Sequence, residues 1–287
     1  MRFVFFHIQK CRMDGLLLSF RGGIRFWSIL YNFAGVFLKS KVMKKKFIYV
    51  GVLCLWATKS LAQLNVQLHY DLGHAMYGNE ISSRQHLTAT VENFSADKWG
   101  STYFFMDADF GDNVLRGAYG EFSREIQTKK MPVAFHVEYN GGLSYGTGKG
   151  DGYAFGDAYL AGVAYNWNSK NFAKGFSVQA MYKYLAKNGP YCHSWQLTGV
   201  WRNRFAGGLC TFSGFVDLWY NNTVNGNLIL MSEPQFWFNL AALRRVSDDF
   251  KLSIGTEVEI SNNFVYTETG QNNRFYAIPT IACKWEF

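Results

Sequence analysis

The chain has 287 residues, 18% of them aromatic, with 28 Gly, 4 Pro and a formal net charge of +8. Eleven of the 29 Lys and Arg fall in residues 1–63 beside a single acid, Asp14, leaving 18 basic and 20 acidic residues over 64–287. A nucleic-acid partner needs basic residues on the folded part and is excluded; scarce Pro with abundant Gly and aromatics favours strands, tight turns and a membrane interface over a helical enzyme.

The basic segment reads as a leader. Met43-Lys44-Lys45-Lys46 is a charged n-region, Phe47 to Ala57 an apolar core, and Ser60-Leu61-Ala62 a small-residue cleavage site. Residues 43–62 are therefore an expected export signal peptide, with Gln63 the first mature residue. Cys54 raises a lipoprotein alternative, but Leu53 before it is not a small residue and apolar residues follow. Residues 1–42 hold no uncharged run long enough to span a bilayer comfortably. They read as a mis-assigned start or a disordered extension in front of Met43.

Beyond residue 63 the sequence has period two. Asn65, Gln67, His69 and Asp71 alternate with Leu64, Val66, Leu68, Tyr70 and Leu72, and Val133, Phe135, Val137 and Tyr139 alternate with Ala134, His136, Glu138 and Asn140. Such a strand has one apolar and one polar face. Twelve strands are expected, over 64–72, 86–94, 100–110, 117–126, 132–141, 157–167, 175–186, 194–205, 210–220, 234–244, 251–261 and 275–287. Each is near the roughly 9–11 residues that a tilted strand needs to cross the hydrocarbon layer. Joins after odd strands are expected to be mostly long and those after even strands short, with both termini on the periplasmic side. The Gly-rich stretch Gly141–Gly156 reads as an outer loop, not a phosphate cradle. Cys192, Cys210 and Cys283 are odd in number and include no Cys-x-x-Cys, against a disulfide scaffold or a zinc site.

A soluble β-sandwich also alternates. Here, however, the polar side carries charge on strand after strand. The chain also ends Ala282-Cys283-Lys284-Trp285-Glu286-Phe287, an ending that resembles the signal by which the outer-membrane assembly machinery recognises its substrates. The expected fold is all-β: a transmembrane antiparallel β-barrel of about 12 strands over 63–287, in the outer membrane of a Gram-negative bacterium. Its expected partners are outer-membrane lipid, the assembly machinery through Phe287, and a small-molecule solute.

With apolar faces on lipid, the polar faces line a lumen. The candidates for contacting a solute there are Tyr103, Phe105, Asp107, Asp109, Glu121, His136, Glu138, Phe215, Asp217, Trp237 and Glu257. Aromatic faces offer stacking and carboxylates accept hydrogen bonds, which suits a neutral or cationic solute with a π-system and hydroxyls better than a sugar phosphate. A competing reading pairs lumen acids with Lys183, Arg202, Arg204 and Lys284 in salt bridges that hold the barrel shut. No catalytic constellation stands out. His193 and Ser194 are strand neighbours and point to opposite faces, while His136 and Glu138 share a face and read as a lumen pair. No metal cluster and no cofactor are expected.

Three strings carry a resemblance: Gly100-Ser101-Thr102-Tyr103-Phe104-Phe105-Met106-Asp107, Phe212-Ser213-Gly214-Phe215-Val216-Asp217 and Ser232-Glu233-Pro234-Gln235-Phe236. They resemble the Tsx-like family of nucleoside-specific outer-membrane channels, and more closely its relatives in the Bacteroidota. The resemblance covers nearly all of 64–287 in strand number and order. It implies a monomeric twelve-stranded barrel whose narrow lumen binds nucleosides through aromatic and ionisable side chains. The leading function is a passive substrate-binding channel. The alternatives are a structural or adhesive barrel without a through-pore and a lipid-modifying barrel enzyme.

Overall fold

The computed structural model describes residues 62–81, 84–111, 114–128, 131–145, 152–186, 189–223, 226–247, 249–265 and 274–287. The expected extension 1–42 and the export signal 43–62 lie outside these residues, apart from Ala62. So do residues 146–151 of the Gly-rich loop.

Thirteen strand segments follow in chain order: β1 Ala62–Asp71, β2 Leu87–Asp97, β3 Gly100–Gly111, β4 Val114–Gln127, β5 Val133–Tyr145, β6 Gly152–Asn168, β7 Lys174–Leu185, β8 His193–Phe205, β9 Cys210–Thr223, β10 Gly226–Ser232, β11 Gln235–Asn239, β12 Leu252–Asn262 and β13 Phe275–Glu286. Pairing is antiparallel throughout, and β1 pairs with β13, Gln67 beside Lys284 and His69 beside Ala282, which closes the sheet.

β10 and β11 are two halves of one stave. Both pair with β9 and β12 in a single register: Ser232 faces Val216 and Ile260, and Gln235 faces Ser213 and Glu257. The barrel therefore has twelve staves. Glu233-Pro234 interrupts the tenth because Pro234 has no N–H for the ladder. The neighbours bridge the gap: Glu233 N donates to Phe215 O at 3.1 Å and Val258 N to Pro234 O at 3.0 Å. Gly214 on β9 faces the break with φ 152°, and a Cβ there would sit 2.5 Å from the Glu233 carbonyl oxygen. Only glycine fits.

The tenth stave corrects the expected strand 234–244. It runs from Gly226 to Asn239, and Leu240–Ala242 is a 3₁₀ turn. Residues 221–226, Asn-rich with an Asn-Gly step, have the composition of a loop, but a two-residue hairpin accepts the same residues. Only 224–225 separate the strands there. The join 112–113 is as short, and the longest join at the end that holds the termini is 240–251, so the expected length asymmetry holds only in part.

Side chains alternate as a barrel in lipid requires. Leu68, Phe135, Val137, Val178, Leu197, Ile254 and Ile281 point outward and are exposed, whereas Gln67, His69, His136, Gln179, Gln196 and Ser261 point inward and are buried. A closed ladder satisfies every stave's backbone where no water is present to do so. No described helix is long and apolar enough to cross a membrane. Cys283 is exposed on the outer face, where a thiol acts as a small hydrophobe.

Candidate functional site

One wall of the lumen comes from β2 to β5. The odd residues of β3 face inward, and register sets their neighbours: Phe105 lies between Glu92 and Glu121, and Asp107 between Thr90 and Tyr119. The ring centroids of Tyr103 and Phe105 are 6.2 Å apart and those of Phe105 and Tyr119 6.1 Å, a ladder of three rings. Carboxylates frame it. Thr88 donates to Asp109 at 2.6 Å, Thr90 to Asp107 at 2.5 Å and Tyr119 to Glu121 at 2.7 Å. Glu92 accepts from Asn65 at 3.1 Å and from Gln67 at 2.8 Å. These donors are uncharged, so they fix the carboxylates in place without neutralising them.

Further along β5, His136 lies 3.4 Å from Glu125 and 3.0 Å from Glu138, and Asn166 donates to Glu125 at 2.6 Å. His136 is thus held between two acids, away from the three rings. Glu257 accepts from Gln235 at 2.6 Å and lies 3.7 Å from His69. Asp217 accepts from Thr198. Phe215 pairs across the strands with Val200, an inward residue 38% exposed, so water reaches the lumen at that level.

Trp237 departs from its expected role. It faces the lumen but is 0% exposed. The Lys284 ammonium stands 4.6 Å from the ring centroid, His69 meets its edge at 6.0 Å, and Nε1 donates to Gln235 at 2.9 Å. A Cβ on Gly255 would sit 2.6 Å from the indole. The ring is a packed side chain whose face holds a cation, not an open stacking surface. Trp219 has the same cover, with Lys183 4.7 Å from its centroid.

The described residues of the join, 72–81 and 84–86, fold into the opposite mouth rather than standing clear of it. It carries a short helix, α1, Gly73–Tyr77, and a 3₁₀ turn, Gly78–Ile81. Ile81 is 1% exposed and packs on Tyr276 and Ile278, inward residues of β13. Glu80 pairs with Arg274 and accepts from the Tyr276 hydroxyl at 2.6 Å. Arg84 bridges Asp71 and Glu259, each at 2.7 Å. Burial alone would lower the guanidinium's pKa, but Glu259 and Asp71 outweigh it and raise it above its ordinary value, so the latch stays charged. At Gly73 a Cβ would lie 2.7 Å from both Asp71 and Ile81, which is why the loop turns there on glycine.

The structure therefore gathers Tyr103, Phe105, Asp107, Asp109 and Glu121 on one wall and sets Glu138 and Asp217 near them. Trp237 belongs to a packed region beside His69, and Glu257 lies between that region and the wall, 3.7 Å from His69 and interacting electrostatically with Asp107 and Glu92. Arg84 and Glu233 were outside the sequence-derived set. A strand pattern says nothing about a loop residue that turns inward, and Glu233 stands at the break in the tenth stave, just ahead of the expected strand 234–244. His193 and Ser194 lie on opposite faces of β8: Tyr182 contacts His193 at 2.5 Å, and Ser194 donates to Tyr220 O.

A closed antiparallel barrel with an apolar exterior and a charged lumen is an outer-membrane β-barrel. The chain belongs to the family described as Domain of unknown function (DUF5020), whose profile matches residues 62–287. No curated protein matches the chain. Among solved structures, the NanC porin superposes with a TM-score of 0.50 at 10% identity, over 78% of this chain and 100% of that one. The KdgM porin gives 0.41 at 10%, over 78% and 99%. Omp33 of Acinetobacter baumannii gives 0.37 at 10%, over 79% and 98%. The first likeness shows the fold alone, a closed antiparallel β-barrel.

Proposed function

We propose that the barrel is a narrow passive channel for small neutral or cationic solutes, and that nucleosides are the solutes its lumen suits. The observation that carries this reading is the ladder of Tyr103, Phe105 and Tyr119 set among Glu92, Asp107 and Glu121. Rings stack a nucleobase at about 1–3 kcal/mol each. Carboxylates accept hydrogen bonds from sugar hydroxyls and exocyclic amines, and their field favours cations. The strings that resemble nucleoside channels support the same solute. One lies on β3 within this wall, and the other two are cross-strand neighbours on β9 and across the Glu233-Pro234 break. A single chain suffices, since the sheet closes on itself. The exposed Phe287, whose N–H donates to Leu64 O at 3.0 Å, is read here as the mark for the assembly machinery.

A second reading, a barrel without a through-pore, is favoured by one observation: Gln67, Trp237, Ser261 and Ile278 face inward and are fully buried. Uptake by liposomes holding the purified barrel separates the two. Adenosine should enter faster than a sugar of similar size, a salt gradient should give a cation-selective reversal potential, and Phe105→Ala should remove the adenosine preference. Equal rates for both solutes, untouched by Phe105→Ala, would leave a general pore. No flux of either would leave the structural barrel.

A further inference from the structure

Three lumen carboxylates from β4, β5 and β9 act on a lysine of β7, and Asn140 of β5 stands beside one of them. Register places Glu121 beside Asn140, and sets Glu138 level with Lys183 through Leu160. Glu121, Glu138 and Asp217 all interact electrostatically with Lys183, and with one another. Lys183 nevertheless makes its short contacts elsewhere, donating to Gln196 at 2.6 Å and resting on the Trp219 ring. One ammonium, with His136 shared between Glu125 and Glu138, does not balance these carboxylates.

Two of the acceptors also lack donors. Glu138 Oε1 and Asn140 Oδ1 are buried without a hydrogen-bond partner. The Glu138 side chain is 9% exposed, with its other oxygen taken by His136 at 3.0 Å, and Asn140 is 5% exposed. Buried acceptors are almost always paired, because leaving one bare forfeits its hydration. An orphaned pair on adjacent inward positions of one strand, beside surplus negative charge, is the complement of a ligand with both charge and donors. Among the described residues no three acidic, His or Cys ligands converge as a metal ion requires. The spread acceptors match a larger cation.

We propose that Glu121, Glu138, Asn140 and Asp217 form a lumen site for a small organic cation rich in N–H and O–H donors, of the amino-sugar kind, and that Lys183 is a tethered competitor for it. The inference rests on the channel reading only for how such a ligand arrives.

Glucosamine and glucose share a ring and a size and differ by one ammonium, which makes them the probes. Titrated by calorimetry into the full detergent-solubilised barrel, glucosamine should bind at least about tenfold more tightly than glucose. Glu138→Gln and Asn140→Leu should each weaken glucosamine by a similar factor. Lys183→Met should strengthen it, a sign that a merely structural lysine would not produce. Heat-modifiable gel mobility confirms that each variant is folded, and Glu138→Gln, nearly isosteric, carries the test should Lys183→Met not assemble. No glucosamine binding, equal binding of both sugars, or binding indifferent to Glu138→Gln would overturn the site. Failure of the channel reading shows separately, as glucosamine binding intact in detergent with no solute flux in liposomes.

Discussion

Trp237 has the Lys284 ammonium over its ring and the His69 ring at its edge, and its own N–H is spent on Gln235. Removing such a ring leaves a hole between β1, β11 and β12 that the rigid staves cannot collapse to fill. Trp237→Ala should cost about 3–5 kcal/mol of unfolding stability, as truncation of a buried aromatic does. It should also raise conductance, because water can enter what the ring vacates. Urea titration in detergent and single-channel recording on the same preparation check both. A loss below about 1 kcal/mol with unchanged current would mean that the ring is not packed. Gly214 shows the same logic at a backbone: its freedom at φ 152° is what lets β9 pass the Glu233-Pro234 break without losing register.

The loop 72–86 is the element whose behaviour differs most from its appearance. Its helix and 3₁₀ turn are too short to be stable alone. They are held by Ile81 on Tyr276 and Ile278, by Glu80 on Tyr276, and by the Arg84 bridge to Asp71 and Glu259. Arg84→Met keeps most of the apolar stem and removes the two charged contacts, leaving Asp71 and Glu259 facing each other without a cation. Amide exchange over 73–81 should then speed up markedly while exchange in the staves stays slow, since the ladder does not depend on this loop. Conductance should rise in parallel. Unchanged exchange in 73–81 would show that the apolar anchor alone holds the loop.

At the scale of the whole molecule the barrel is an inverted protein. Its polar groups are inside and its apolar groups outside, and only a hydrocarbon surround makes that arrangement favourable. Ile254 is exposed on the outer face of β12. Ile254→Arg should cost about 2–4 kcal/mol if it lies near the bilayer midplane and lower the amount of assembled barrel. Heat-modifiable mobility of outer-membrane fractions measures the second effect, and full assembly of the variant would contradict a lipid-facing position.

Much of this was written in the sequence, and for a local reason. A strand exposes alternate residues to opposite faces, so the inward placing of Tyr103, Phe105, Asp107 and Asp109, and the outward placing of Ile254 and Cys283, follow from period two alone. The even number of staves and closure at the last strand follow from counting such segments. The boundaries of the tenth stave did not follow, because Asn-Gly composition serves a hairpin as well as a long loop and Pro234 marks a break, not a start. Alternation names the face of a residue but not what stands across the lumen. Whether Trp237 is an open surface or a packed ring depends on Lys284 and His69, distant in sequence and on other staves. That Arg84 enters the lumen, and that Glu138 and Asn140 keep bare oxygens beside Lys183, are equally products of closure. Closing the sheet brings β1 to β13 and β5 to face β9, and cross-lumen distances exist only once it has closed.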